Sequence, residues 1–181
     1  MSIFRVKLIT LFFSLLFICT ANSASFNENL IEIRAEINRD NLQEALKKIK
    51  KIKISKSLEQ EQIDLLFGDI YLKINQPEKA EEFYQKSFFT SSEEVEAMTY
   101  VGLAEVRLIQ GRLNDAINYA EKSININSNK VRPKIILAIA KTRIGESEEA
   151  IEILNNLYVS QKNAEIALAI SDYYSAFDDS A

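Results

Sequence analysis

The sequence predicts an all-α fold, built as an array of antiparallel helix pairs, and three observations carry that expectation. Only 4 Gly and 2 Pro occur in 181 residues, too few turn formers for a β-rich fold. Apolar residues recur at helical spacing, as in Leu65, Leu66 and Tyr71, in Leu103, Val106 and Ile117, and in Ile136, Ala140 and Ile151. A phrase also repeats: Gly111-Arg112-Leu113-Asn114-Asp115-Ala116-Ile117 lies over Gly145-Glu146-Ser147-Glu148-Glu149-Ala150-Ile151 at an offset of 34 residues, the kind of period that marks a repeat architecture. With 47% hydrophobic and 27% charged residues, the chain has the composition of an ordinary globular domain, and its length suits one domain or one array of small repeats.

The first element is not part of the fold. Residues 1–24 carry Arg5 and Lys7, then the apolar run Leu8 to Cys19, then Thr20-Ala21-Asn22-Ser23-Ala24, with no acidic residue. That order is expected of a secretory signal peptide cut after Ser23 or Ala24. The apolar run holds about 12 residues, short of the roughly 20 that a membrane-spanning helix needs. A lipoprotein acylated at Cys19 is the alternative, but Ile18 stands where such signals want a small residue. An exported, periplasmic or envelope-associated chain follows. Without residues 1–24 it has 20 basic and 26 acidic residues, a net charge of −6, which does not suit a nucleic-acid partner. It also has no cysteine, so its stability comes from packing rather than disulfides.

The repeated phrase returns without its glycine as Asn75-Gln76-Pro77-Glu78-Lys79-Ala80 and as Asp40-Asn41-Leu42-Gln43-Glu44-Ala45. Ala45, Ala80, Ala116 and Ala150 are therefore 35, 36 and 34 residues apart. A step near 34 with two amphipathic helices per unit resembles the tetratricopeptide repeat family, whose pattern is small at position 8, aromatic at 11, Ala at 20, aromatic at 24 and small at 27. The resemblance implies a right-handed superhelical solenoid over 25–181, with repeats at about 26–59, 61–94, 97–130 and 131–164 and a terminal helix over 163–177.

The unit starting at Phe26 keeps Ala45 but has Ile33 at position 8 and Glu36 at 11. The next, from Glu61, fits best, with Gly68, Tyr71, Ala80, Tyr84 and Ser87 at the five positions. The third, from Ala97, has Ala104, Ala116 and Ser123, with Arg107 at position 11. The fourth, from Val131, has Ala138, Ala150, Leu154 and Leu157, with Lys141 at position 11. Small residues such as Gly68, Ala104 and Ala138, facing Ala80, Ala116 and Ala150, let paired helices approach closely. Helix starts are expected at Asn114 and Ser147 as N-caps, at Pro77 in a first turn, and at Ser91 with Glu94 as a capping box. The terminal helix runs through Ala164, Ala167, Leu168, Ile170, Ser171 and Tyr174, and either caps the array or opens another repeat.

Chemistry finds little to work with. No His occurs, and the single Cys lies in the expected signal. That removes His-assisted nucleophilic catalysis and His or thiolate metal sites. No Gly-x-x-x-x-Gly-Lys loop or Gly-x-Ser-x-Gly elbow is present. The acids Glu93, Glu94 and Glu96, and Glu148, Glu149 and Glu152, stand at helix starts, where they complement the dipole and face water. Asp178 and Asp179 lack the spaced ligands of a calcium loop. Lys47-Lys48-Ile49-Lys50-Lys51-Ile52-Lys53 is the sharpest charge cluster, read either as one half-buried helix face or as a contact for anionic lipid or another polyanion.

The remaining candidate is a groove. The resemblance implies that positions 2, 5, 9, 12 and 13 of each repeat line a concave protein-binding surface. Carried over, these are Gln62, Leu65, Asp69 and Lys73 from the second unit, Met98, Val101, Glu105 and Ile109 from the third, and Arg132, Ile135, Ile139 and Arg143 from the fourth. Apolar anchors flanked by charge suit an extended peptide or an amphipathic helix; the bland alternative is that the apolar members are core. The Lys/Asn clamp with which some family members hold chaperone termini is replaced here by Leu30 and Arg34. The expected function is a non-catalytic, cofactor-free protein-binding scaffold of a bacterial envelope. The alternatives are the recognition arm of a larger envelope enzyme or secretion machine, and an envelope enzyme working with carboxylates alone.

Overall fold

The computed structural model describes residues 25–54, 56–88 and 92–178. The expected signal peptide with Cys19, the capping residue Ser91 and the tail from Asp179 lie outside the described residues. Among the described residues there are nine helices and no strand: α1 over 25–38, α2 (Leu42–Ile49), α3 (Ser57–Lys73), α4 (Pro77–Lys86), α5 (Glu93–Ile109), α6 (Leu113–Ile126), α7 (Val131–Ile144), α8 (Ser147–Ser160) and α9 (Ala164–Asp178). The fold is all-α, as the scarcity of Gly and Pro predicts. No described helix is long and apolar enough to cross a membrane. The chain divides into two compact units, 1–55 and 56–181.

One backbone device recurs in both units. The first helix of each pair ends in a left-handed residue, Asp40 (φ 58°), Asn75 (φ 56°), Gly111 (φ 72°) or Gly145 (φ 93°). The next N–H, from Asn41, Gln76, Arg112 or Glu146, donates at 2.9 Å in every case to the carbonyl of Glu36, Tyr71, Arg107 or Lys141. The left-handed residue's own N–H reaches the carbonyl one position later, at 2.9–3.3 Å. This double closure satisfies the orphan carbonyls of a helix end and turns the chain back at once. Five residues after each left-handed residue comes Ala45, Ala80, Ala116 or Ala150, each 0% exposed. The steps of 35, 36 and 34 therefore count identical turns.

The closure also moves the helix starts. The N-caps are Asn41, Gln76, Arg112 and Glu146, none of which makes a side-chain cap hydrogen bond. The expected caps are thus corrected: Asn114 is the second residue of α6, and Ser147 is the first of α8. A turn already closed by backbone bonds leaves a capping side chain little to add. Pro77 is the first residue of α4, where its missing N–H costs nothing. The cap of α5 is Ser92, whose hydroxyl accepts from the Val95 N–H at 3.4 Å.

In the first unit α1 buries Phe26, Leu30, Ile33 and Ile37, a stripe at helical spacing, and α2 buries Ala45 and Ile49. The Lys48 ammonium lies 3.0 Å from Glu32 and 3.6 Å from Glu36 of α1.

The second unit is a helical-repeat solenoid in which each helix packs on the next and α3, α5, α7 and α9 also touch in sequence. Three apolar clusters lie along it. Leu65, Ala80, Tyr84, Val95, Leu103 and Val106 join α3, α4 and α5. Ala104, Ala120, Ile136 and Leu137 join α5, α6 and α7. Ile135, Ala138, Ala150, Leu154, Leu157, Ile166 and Ala169 join α7, α8 and α9.

Tyr84 is the tightest joint of this core. Its ring lies between two glycines, one on α3 and one on α5. A Cβ added to Gly68 or to Gly102 would stand 2.4 Å from ring atoms. The residue is 1% exposed, and its hydroxyl donates to Asp69 at 2.8 Å. Burial first, and the Asp69 carboxylate second, push the phenol well above its ordinary pKa, so it stays a donor. Nearby, the buried Ser87 and Thr99 hydroxyls meet at 2.7 Å, and Ser123 Oγ donates to the Ala97 carbonyl at 2.9 Å. Of the small polar residues at position 27, Ser87 thus ties the end of α4 to α5 of the next pair, and Ser123 ties α6 to α5 of its own pair.

Candidate protein-binding groove

The first helices of successive pairs, α3, α5 and α7, carry the predicted groove residues, and the structure sorts these into three groups. Leu65 and Ile135 are corrected: at 1% and 2% exposed they belong to the core clusters and offer no surface. On a helix wedged between neighbours, the apolar stripe is wider than the face that reaches solvent, so the reading of apolar members as core holds for these two. Met98, Val101 and Ile139 are half-buried and rest on the clusters with an edge open. Gln62 and Asp69 are also half-buried, whereas Lys73, Ile109 and Arg143 are exposed.

Charged members are held by partners on adjacent helices. Arg132 bridges Glu105 of α5, at 2.6 Å from Nε, and Glu165 of α9, at 3.1 Å from Nη1. The two carboxylates outweigh the burial that disfavours its charge and raise its pKa. Asp69 is taken up by the Tyr84 hydroxyl, and Arg143 donates to the Leu108 carbonyl at 3.3 Å. These contacts fix the spacing of α3, α5, α7 and α9 and leave a mixed lining.

Where the groove deepens, between α7 and α9, a cavity of about 320 Å³ is lined by Ile139, Thr142, Arg143, Leu154, Ala169, Asp172 and Tyr173. Its floor is apolar, and Arg143 and Asp172 supply opposite charges. Ile139 and Arg143 are anticipated members. Asp172 and Tyr173 are not, because α9 shows little of the repeat pattern. The period itself points there, since 34 residues beyond Ile139 lies Tyr173. Tyr173 is positioned by its hydroxyl, which donates to the Ser147 carbonyl at 3.0 Å.

Position 11 shows what joins neighbouring helices where the expected aromatic is absent. In α3 it is Tyr71, stacked on Phe83 with ring centroids 5.3 Å apart. In α5 it is Arg107, buried at 7% exposure, whose guanidinium grips Glu81 of α4 in a two-point pair at 2.7 and 2.5 Å. That hydrogen-bonded pairing holds the Glu81 carboxyl below its ordinary pKa. In α7 it is Lys141, paired with Glu146 at 2.6 Å and Glu149 at 2.5 Å. In α1 it is Glu36, which accepts from Asn41 at 3.0 Å and faces Lys48. Among the described residues no cluster of three or more potential ligands could hold a metal ion.

The sequence model of the tetratricopeptide repeat matches residues 65–88, which hold Gly68, Tyr71, Ala80, Tyr84 and Ser87. Residues 65–88 thus match a single tetratricopeptide repeat. No curated protein matches the chain. Tetratricopeptide repeats generally mediate protein–protein interaction, and their helical-repeat fold is typically a non-catalytic module. The matched segment holds the Phe83 ring pairs with Phe67 and Tyr71 and the Tyr84 ring against Gly68.

Proposed function

We propose that this protein is a non-catalytic scaffold of the bacterial cell envelope that holds a peptide or amphipathic helix of a partner in the groove of α3, α5, α7 and α9. The observation that carries the reading is the cavity between α7 and α9. It is large enough for a bulky apolar side chain, it is floored by Ile139, Leu154, Ala169 and Tyr173, and it has Arg143 and Asp172 beside it. An apolar anchor with opposite charges alongside is how a short segment is recognised in register. The envelope location rests on residues 1–24, whose basic start, apolar run and small-residue end fit an export signal.

Photo-crosslinking in cells from Val101 and Ile139, with Tyr158 on α8 as control, tests the reading. One protein captured from both groove positions, missing from Tyr158 and lost when Ile139→Asp is introduced alongside Val101 crosslinking, is the expected result. Equal capture from all three positions would refute the groove. The mass of the mature chain tests export: cleavage after Ser23 or Ala24 is expected, and an intact amino terminus on the folded cellular protein counts against the envelope assignment.

A further inference from the structure

The first unit differs from the second in charge. Residues 25–54 hold seven basic and five acidic residues, a net of +2, whereas residues 56–181 hold 13 basic and 21 acidic, a net of −8. The positive excess is concentrated at one place. After Glu44 no acidic residue occurs until Glu59, while five lysines of this unit, Lys47, Lys48, Lys50, Lys51 and Lys53, fall in between, ahead of Lys56 in the second.

The structure divides these five lysines by role. Lys48 is turned to α1, where the hydrogen bond it donates to Glu32, aided by Glu36, raises its pKa. It is a structural pair. Ala45 and Ile49 form the buried side of α2, and Lys47, Lys50 and Lys51, spaced three and four residues apart, stand on the exposed side. The helical path continues past α2, because the Lys51 N–H reaches the Lys48 carbonyl and the Ile52 N–H reaches the Ile49 carbonyl, both at 3.0 Å. Lys53 follows, exposed, and then Ile54, an isoleucine 43% exposed. Lys47 is met by Glu44 at 3.2 Å. Among the described residues none forms an ion pair with Lys50, Lys51 or Lys53.

We infer that this face of the first unit docks on an anionic lipid surface, with Lys47, Lys50, Lys51 and Lys53 at the headgroup phosphates and Ile54 dipping into the interface. Clustered lysines near a negative membrane contribute about 1 kcal/mol each, and an exposed isoleucine among them gains by leaving water for the acyl boundary. A soluble polyanion would satisfy the lysines but give Ile54 nothing, which is why the membrane is the better fit. The inference does not depend on the groove.

Sedimentation of the full chain with phosphatidylcholine vesicles, with and without phosphatidylglycerol, is the test. The neutral vesicles measure what the apolar segment 1–24 contributes. Stronger binding to the anionic vesicles is expected, together with loss of that excess at about 1 M salt, where charge attraction is screened within ~3 Å. The triple change Lys50→Gln, Lys51→Gln, Lys53→Gln is expected to weaken it on the order of 100-fold. Lys79→Gln, Lys122→Gln, Lys162→Gln, three exposed lysines of the second unit, is expected to leave it unchanged. All six side chains are exposed, and an unaltered helical circular dichroism spectrum confirms that each variant is folded. Equal binding to neutral and anionic vesicles, or full binding by the first triple variant, overturns the proposal. So does binding that Ile54→Ser leaves intact and that soluble polyphosphate of equal charge competes away, since that result describes a polyanion site.

Discussion

The helix pair α3–α4 and the pair α7–α8 share one backbone and differ in what fills it. Both turn through a left-handed residue, Asn75 or Gly145, with the same 2.9 Å closure, and both bury an alanine five residues on. Between α3 and α4 the filling is aromatic: Tyr84 clamped by glycines, and Tyr71 stacked on Phe83. Between α7 and α8 it is aliphatic, with Leu154 where Tyr84 stands and the Lys141 ion pairs where Tyr71 stands. The turn and the buried alanine are common to both pairs, and the larger side chains that fill them differ. The family model matches the pair that keeps the aromatic filling.

That contrast can be broken at its strong end first. Tyr84→Ala should cost about 3–5 kcal/mol, because it opens a cavity between two glycines that cannot fill it; thermal or urea unfolding measures it. Gly102→Ala should cost about 1–3 kcal/mol by driving a methyl group into a ring that Gly68 blocks on its other side. Tyr84→Leu in the same chain should recover part of that loss, a coupling a double-mutant cycle reads. Arg107→Ala should cost about 2 kcal/mol, since it strips a partly buried carboxylate of its two-point partner.

The Glu81–Arg107 pair also has a pH signature. Because the folded pKa of Glu81 is lowered, its contribution is present at pH values above the ordinary 4.5 and fades as pH falls through the lower folded value. The stability gap between the native chain and Glu81→Gln should therefore be constant near neutrality and close in acid. At the weak end, Gly145→Ala should cost about 1–2 kcal/mol for a left-handed alanine, and Lys141→Ala less than about 1 kcal/mol because its partners are exposed.

The turns and the alanines were legible because they recur: Gly111 and Gly145 announce a positive φ, and Asp40 and Asn75 are the residue types that next best tolerate one. Helix starts were misread at Asn114 and Ser147 because side-chain capping is what a sequence displays, whereas here backbone bonds do that work. The groove was legible in part. Periodicity tells which residues share a face, but not where that face passes from solvent into core, so Leu65 and Ile135 fell on the wrong side of the line. The α9 contribution was missed because Asp172 and Tyr173 stand where the repeat pattern has lapsed, although their spacing from the preceding pair is intact.

Each turn closes its own bonds within six residues, and hydrogen bonds between helices of the second unit, such as Lys130 to Glu94, reach about one repeat along the chain. Helices of the second unit therefore pack on the next helix and the next but one. Such an array folds rapidly from local contacts and unravels like a zip, one layer at a time from its ends. Amide exchange should accordingly be fastest in α9, which exposes Leu168 and Tyr174, and slowest where Tyr84 locks α3, α4 and α5. A single melting temperature would then average over a gradient of order along the chain.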